Sequence, residues 1–528
     1  MVGPEDELIY DVAIIGYGPV GATFANLLAR DGFRVAVIER ETEIYDKPRA
    51  IVIDHEISRV LQSCGLADAV HQMVSPHPGT DFVNPAGDVI MRYDPMAPPY
   101  PLGWQPTSMF IQPEFEALLR EAVDGRAGVD VLLGWQADDF SQNGESVRVA
   151  CTDSTSGVAT TVKARYLVGC DGANSSVRKQ LALPVEDLAF DEWWIVVDTW
   201  FDGSEALPDK CIQYCHPARP ATFIRGPRNL RRWEIKLLPG ERPEDFADEA
   251  AILGQLSRFV SPDAIEIWRA AVYRFHAVVA EQWRADRVFI MGDAAHQMPP
   301  FMGQGMCSGM RDAANLAWKL RFVEKQGANP GLLDSYADER RPHITELTRT
   351  TKAFGKIIGI LDESEAVARH TELKRDLDAG AAETVRQNFI PGLSAGLVDF
   401  GRADAAAGTL FVQPSVRDCE GRTCLLDDLI GSNFLLAARS MQAMSWLTDK
   451  SARIWGKLDG RQVVIGDAGR VQDGVLCVSD CDGLFEGWCR SSACDVALVR
   501  PDGYVFGTAK DAQTLERLVS DLDRMMFG

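Results

Sequence analysis

The chain has no long apolar run. The first, Val12 to Ile15, is only strand-length, and no segment is long and apolar enough to span a bilayer. The opening stretch from Met1 to Leu8 carries three acids, which excludes the basic and apolar regions of a secretory signal. Basic residues are also short: 54 Lys and Arg stand against 76 Asp and Glu, a formal net charge of −22. A surface that acidic argues against nucleic acid or an anionic membrane as a partner. The twelve cysteines include no C-x-x-C. The loose pairs Cys419/Cys424, Cys477/Cys481 and Cys489/Cys494 lack the spacing of zinc knuckles or redox motifs, and no histidine lies near them. Buried structural thiols and no metal are expected, and scattered free thiols suit a cytoplasmic location. No internal repeat divides the 528 residues, and that length calls for two or three domains. Apolar content of 46% and charged content of 25% are those of a globular protein.

Only one dinucleotide fingerprint is present. Asp11 to Gly16 reads as a buried parallel strand, Pro19 to Arg30 as a helix and Val35 to Glu39 as a second strand. Between the first two lies Gly16-Tyr17-Gly18-Pro19-Val20-Gly21. The first glycine makes the turn, the second lets backbone approach a pyrophosphate, and the third lets helix and strand pack closely. Pro19 sits where a first-turn proline is tolerated. The helix start then offers free N–H groups and partial positive charge to an anion. Glu39, with Arg40 beside it, closes the second strand at the separation of a carboxylate that holds adenosine ribose hydroxyls, and an acid there disfavours the 2′-phosphate of NADP.

This βαβ unit admits NAD or FAD, and two later landmarks choose between them. Cys170-Asp171-Gly172-Ala173-Asn174-Ser175 lies mid-chain. A strand at Val288 to Met291 runs into Gly292-Asp293-Ala294-Ala295-His296, followed by Pro299-Pro300 and Gly303-Gln304-Gly305. Asp293 stands where it can accept from a ribityl hydroxyl, although Asp is also an ordinary N-cap. The strong helix from Met306 to Val323 follows Gly303 and Gly305, so its first amides face the pyrimidine edge of a flavin, which is negative when reduced.

Asp46-Lys47-Pro48-Arg49-Ala50, Gln112-Pro113-Glu114-Phe115-Glu116 and the run from Gly303 to Leu320 (GQGMCSGMRDAANLAWKL) carry a resemblance. Over roughly Tyr10 to Pro342 the chain resembles the group A FAD-dependent aromatic hydroxylases, nearest the 3-(3-hydroxyphenyl)propionate hydroxylase branch. The resemblance implies an α/β fold: a Rossmann-like FAD-binding domain of glutathione reductase type, an inserted antiparallel substrate sheet and a thioredoxin-like C-terminal domain. It implies that Arg49 and Gln112 contact the flavin or its phosphates. Asp171 and Gly172 then belong to a motif tied to both FAD and NAD(P)H, and the Pro300 backbone borders the substrate beside the isoalloxazine. Gly303, Gly305 and Met306 complete the cofactor set. NADH or NADPH docks transiently as electron donor, and the flavin takes up oxygen as a C4a-hydroperoxide that attacks an electron-rich ring. Lacking C-x-x-C, the C-terminal domain is expected to be structural or to support a homodimer.

The expected divisions are residues 1–190 (FAD-binding domain, first part), 191–275 (substrate sheet), 276–362 (FAD-binding domain, second part, with helices), 363–393 (charged helical linker) and 394–528. The stretch from Asp191 to Tyr273 is β-rich, with strands at Trp193 to Phe201, Lys210 to Cys215, Ala221 to Arg225 and Arg232 to Leu238. Val158 to Ala164 and Tyr166 to Cys170 read as two strands, and the Pro-rich loop from Pro95 to Pro106 as a surface excursion.

Such oxygen chemistry needs a dry chamber, an electron-rich ring and close positioning. Tyr214, Phe223, Trp233, Pro299, Phe301 and Met302 are wall candidates, though plain packing explains aromatics equally well. Arg225 is a candidate for a substrate carboxylate, and Arg231 and Arg232 read as a solvated turn. No general base stands out, leaving Asp54, His55 and His296 as candidates beside ordinary structural roles. The substrate is expected to be a small phenol, with molecular oxygen as co-substrate. A tailoring oxygenase acting on a polyketide, quinolone or other aromatic scaffold uses the same chemistry. Trp193-Trp194-Ile195 does not make a flavin halogenase motif, and a flavin carrier without turnover has no need of the inserted sheet.

Overall fold

The computed structural model describes residues 9–400, 404–466 and 474–528. Ile9–Ile15 is an apolar strand whose second half is buried on both faces, as a central parallel strand requires. It pairs in parallel with Val35–Glu39 on one side and Ala159–Gly169 on the other. Val129–Leu133 and Val288–Ile290 extend the parallel set outward. Val158 to Cys170, read as two strands, is a single strand that changes partner part-way. Residues 159–164 pair antiparallel with Val147–Asp153, while 163–169 pair parallel with the opening strand.

The second sheet has eight strands and is built around a long ribbon, Val185–Phe201 against Ile265–Ala280. It continues through Leu230–Lys236, Ala221–Arg225 and Cys211–Tyr214, then crosses to Thr80–Val83 and Val89–Tyr93. The sheet therefore extends beyond residues 191–275, and it is not purely antiparallel, because Cys211–Tyr214 pairs in parallel with Thr80–Val83. The chain enters this sheet on three separate visits, at residues 80–93, 185–280 and 296–297.

The C-terminal unit has seven strands. Leu435–Ala438, Arg461–Gly466 and Leu476–Asp480 run parallel, and Val496–Val499 and Val505–Ala509 add an antiparallel pair. The helix Ala512–Phe527 packs its apolar side on this sheet. All twelve cysteines are free thiols. No described helix is long and apolar enough to cross a membrane.

This unit is joined to the rest by buried charge. Arg500 donates to Glu339 at 2.8 Å and to Asp502 at 2.6 Å, and Lys319 donates to Glu339 at 2.8 Å. The Arg500 and Lys319 cations hold the Glu339 carboxyl at about 2, while burial brings Lys319 down to about 8. The Pro-rich loop is not a free excursion. Gln413 of the C-terminal unit donates to the carbonyls of Pro101 and Leu102, and Leu102 is buried. Removing one partner from a buried ion pair typically costs about 3–5 kcal/mol, because the other charge remains in place. Glu339→Gln strands Lys319 and leaves Arg500 with Asp502 alone. It should lower the urea midpoint markedly and expose the segment around residues 391–400 to limited proteolysis.

Candidate functional site

The fingerprint glycines meet the opposing strand end. Gly16 has φ +101°, and a Cβ there would overlap the Cys170 carbonyl; a Cβ on Gly21 would overlap the Gly16 carbonyl. At Gly18 the same atom would meet nothing within 4 Å. Gly16 and Gly21 are therefore packing requirements, and Gly18 opens onto free space. The helix Pro19–Arg30 begins here, leaving the Val20 and Gly21 amides without intrahelical acceptors. Glu39 spans the turn, accepting from the Tyr17 amide at 2.7 Å and the Glu41 amide at 2.9 Å. Arg40 points to solvent and pairs with Glu41. Gln112 accepts from the Arg49 and Ala50 amides at 2.9 and 2.7 Å, which pins the segment leading into Val52–Asp54.

Two further turns face this groove. Asp171 uses one carboxylate oxygen to accept from the Ser176 and Val177 amides, so it caps the helix Ser176–Gln180, and Gly172 and Cys170 face the groove in its place. Gly292, with φ +59°, turns the chain after Val288–Ile290. Asp293 follows and makes no capping bond. Its carboxylate faces open space while protein surrounds it elsewhere, and that loss of water raises its pKa. Gly303, at φ +56°, then sets up the helix Gly305–Gln326, whose first amides point the same way.

The groove widens into a chamber between the two sheets, and the two together enclose about 390 Å³. Its far wall is set by strand parity. Gln213, Thr222, Ile224, Arg232 and Glu234 alternate inward and face one another across the ladder. Tyr214, Phe223 and Trp233 lie one residue out of phase. They pack on the reverse of the sheet with Phe246 and Leu256, and so are not chamber walls. Arg225 shares their phase and pairs with Asp209 at 2.8 Å. Phe301 and Met302 do line the chamber, Phe301 with its ring against Trp194, Phe190 and Phe275. Pro300 borders it, and Pro299 is buried behind. A second cavity of about 310 Å³ lies against the C-terminal unit, where Arg59 and Asp427 already satisfy each other.

Residues 9–351 match the family described as FAD binding domain, and residues 408–525 match the HcaD C-terminal domain. The chain belongs to the FAD-binding-domain family of flavoprotein monooxygenases. It is 35% identical to a probable NADH-specific resorcinol 4-hydroxylase of Rhodococcus jostii, over 97% of this chain and 94% of that one. It is 34% identical to a 3-(3-hydroxyphenyl)propionate/3-hydroxycinnamic acid hydroxylase of Comamonas testosteroni, over 94% of each. Its fold is that of the flavin-dependent monooxygenase PieE, solved with FAD and substrate (TM-score 0.80, 22% identity, 98% of this chain and 99% of that). It is equally that of aklavinone-11 hydroxylase, solved with FAD and aklavinone (TM-score 0.79, 24% identity, 98% and 100%). The groove suits FAD on its own terms. Space is open at Gly18, Gly172 and Gly305, helix-start amides lack acceptors, and Asp293 has no protein hydrogen-bond partner among the described residues.

The structure does not bring the expected general bases to the chamber. Asp54 caps the helix His55–Ser63 through Ile57 and binds Arg311 with its other oxygen. His55 is buried, and desolvation takes its pKa down to about 4. His296 sits at 2.8 Å from Asp312 and stacks on Trp283. None of the three lines the chamber. Arg231 and Arg232 are buried rather than solvated. Arg231 donates to the Leu230 and Arg228 carbonyls, while Arg232 binds Asp198 at 2.7 Å and the Arg49 carbonyl at 2.8 Å. Sequence reasoning missed Glu234, His77, Tyr93 and Arg386, all on the chamber wall. For Glu234 the signal was its place two residues from Arg232 on one strand; for the others no local signal exists. Asp293→Ala should purify with visibly less flavin and bind added FAD at least about tenfold more weakly, the scale of one hydrogen bond to a charged group. Equilibrium dialysis and the flavin absorbance ratio check this.

Proposed function

We propose that this chain hydroxylates a small phenolic substrate, using FAD, molecular oxygen and NADH or NADPH. The observation that carries the reading is the direct opening of the flavin groove into a chamber with an apolar wall at Phe301 and Met302 and an uncommitted carboxyl at Glu234. When bound and reduced, FAD activates oxygen for transfer to an electron-rich ring. The chain's own residues do the rest. The Val20 and Gly21 amides, with Gly16, Gly18 and Pro19 shaping the turn, take the pyrophosphate, and Glu39 takes the adenosine ribose. Gln112 holds Arg49 toward the phosphates, Asp293 accepts from the ribityl chain, and the Gly303–Met306 amides face the pyrimidine edge. Gly172 and Pro300 border the ring. Arg40 drops out of this set because it faces solvent, and Asp171 acts through its turn.

Glu234 is the candidate proton acceptor. Burial pushes its carboxyl up to about 7 against the pull of Arg232, which matches the working range of a general base. Deprotonating the phenol enriches the ring, and the sheet covering the chamber keeps off the water that would divert the oxidant. Relatives at 34–35% identity that are named for small phenols favour a small phenol over a polycyclic scaffold. The named relatives act on a neutral diphenol and on phenolic acids, so both belong in the test.

Finer points of architecture join this reading. A glutathione reductase-type nucleotide unit is supported by the five-strand parallel order and the single fingerprint. A thioredoxin-like C-terminal unit without C-x-x-C is supported by three parallel strands flanked by an antiparallel pair and a closing helix. We take the chain as residues 1–190 with 276–362, 191–275, 363–393 and 394–528, with homodimer formation through the last. Twelve free thiols support a cytoplasmic setting.

A screen of phenols and phenolic acids should find one that stimulates NADH oxidation and gains one oxygen atom with its ring intact. Uniform failure with FAD bound and reducible overturns the reading. Glu234→Gln should lower kcat/KM at least about a hundredfold, the low end for a lost acid–base group, and abolish a rising pH limb near 7. The folded chain keeps a proton on Glu234 that the unfolded chain releases above about pH 4.3, so stability from this group falls between there and pH 7. Glu234→Gln should therefore melt higher than the parent at pH 8.

A further inference from the structure

The charged segment between the nucleotide unit and the C-terminal unit does more than connect them. After the helix Glu363–Asp378, a short turn at Arg386–Phe389 carries Arg386 into the fold, where it is only 8% exposed. One guanidinium nitrogen donates to the Met302 carbonyl, and the other lies 3.4 Å from the Thr107 hydroxyl. Both partners are neutral. Among the described residues, no carboxylate stands within ion-pair distance of Arg386. Asp54 is the nearest acid to be felt, and it is committed to Arg311. The other groups facing Arg386 are uncharged. Cys211, Cys307 and Tyr93 are pushed up by burial, and His77 is brought down to about 3. Burial without a counter-charge also lowers Arg386 itself.

A buried, unpaired guanidinium is expensive, and it persists where a ligand completes it. Arg386 lines the chamber, and beside it the Tyr93 hydroxyl is buried without any partner. A cation with no anionic partner and a hydroxyl with no partner at all thus stand together at the chamber end nearest the Pro-rich loop. The proton acceptor Glu234 belongs to the facing sheet, and Arg386 is not among the charges that shift it. The phenol hydroxyl goes to Glu234, so the counter-charge missing at Arg386 is a second group of the same molecule.

The geometry points to Arg386, assisted by Tyr93, as the residue that selects a carboxylate-bearing phenol over a neutral one, by binding the substrate's carboxylate at the end of the chamber away from Glu234. Arginine's planar fork suits a carboxylate in two-point contact, and the tyrosine hydroxyl supplies a further donor. The assignment rests on the chamber being the substrate site proposed above.

The test measures binding to the FAD-loaded protein by calorimetry, without turnover. The probes are 3-(3-hydroxyphenyl)propanoate, its methyl ester and resorcinol. The acid should bind at least tenfold more tightly than the ester. Arg386→Met should weaken acid binding about a hundredfold, the scale of a charge-assisted pair, and leave ester and resorcinol within threefold. Tyr93→Phe removes a hydroxyl that nothing in the protein bonds, so it leaves folding intact; it should weaken the acid three- to tenfold and spare the ester. Acid and ester binding alike, or an acid–ester gap that survives both substitutions, overturns the assignment while the chamber reading stands. Binding of none of the three probes takes the chamber reading down with it.

Discussion

Arg311 is enclosed on every side, and its partners come from three places in the chain. Its guanidinium reaches Asp54 at the end of a strand, Glu56 in the first turn of a helix and Gln304 at the start of its own helix. Glu56 in turn accepts from Tyr504 at 2.9 Å, across the junction with the C-terminal unit. The neighbouring residue does the same work on the other side. Asp312 accepts from Arg340 at 2.8 Å, from the Gly292 amide at 3.1 Å and sits at 2.8 Å from His296. One helix thus fixes both banks of the flavin groove with two consecutive residues: Arg311 sets the strand that carries Ala50 to Asp54, and Asp312 sets the turn that carries Asp293. A hydrophobic core could supply the same stability, since buried ion pairs seldom gain much over apolar packing. What these pairs provide is a single permitted relation between the helix start and the two banks.

The chamber owes its character to alternation along three short strands. Facing in are a carboxyl, an amide and a hydroxyl, with Thr222 donating to Gln213 at 2.5 Å. Facing out are the large rings that anchor the sheet to the helix Glu249–Leu256. The polar wall and the apolar turn at Phe301 and Met302 line the same chamber, which therefore presents unlike surfaces. Arg232 and Arg269 reach past this wall to hold the carbonyls of Pro48 and Arg49. The substrate sheet is therefore bonded directly to the segment that borders the cofactor, which ties the geometry of one site to the other.

The cofactor groove was legible because its determinants are local. Gly16 and Gly21 are demanded by close approach of backbone, and Gly303 by a left-handed turn, so each leaves a mark in the sequence that physics can read. The substrate wall was not legible, for two reasons. A strand's period of two says which residues share a face but not which face looks inward, and Tyr214, Phe223 and Trp233 were assigned to the wrong one. Ring size suggested a chamber lining, where the sheet instead needed bulk to pack its reverse side. The remaining residues depend on distant partners. Nothing near Thr80 announces that it will join Cys211, and nothing near Asp54 or His296 announces that each is already spoken for by a helix 257 or 16 residues away.

The C-terminal unit reaches the chamber without lining it. Gln413 holds the Pro-rich loop by the carbonyls of Pro101 and Leu102, and Leu425 packs where Gly103 leaves room for it. The same loop runs on into Thr107–Met109, the middle strand of a three-stranded sheet that pairs with Val52–Asp54. Thr107 stands at the substrate end of the chamber, and Val52 lines it. Arg59, which binds Asp427 at 2.6 Å and the Phe411 carbonyl, fastens the next helix to the same unit. A domain without paired cysteines thus contributes by rigidity: it clamps the loop and helix that flank one wall, and their backbone carries that constraint to the residues facing the chamber.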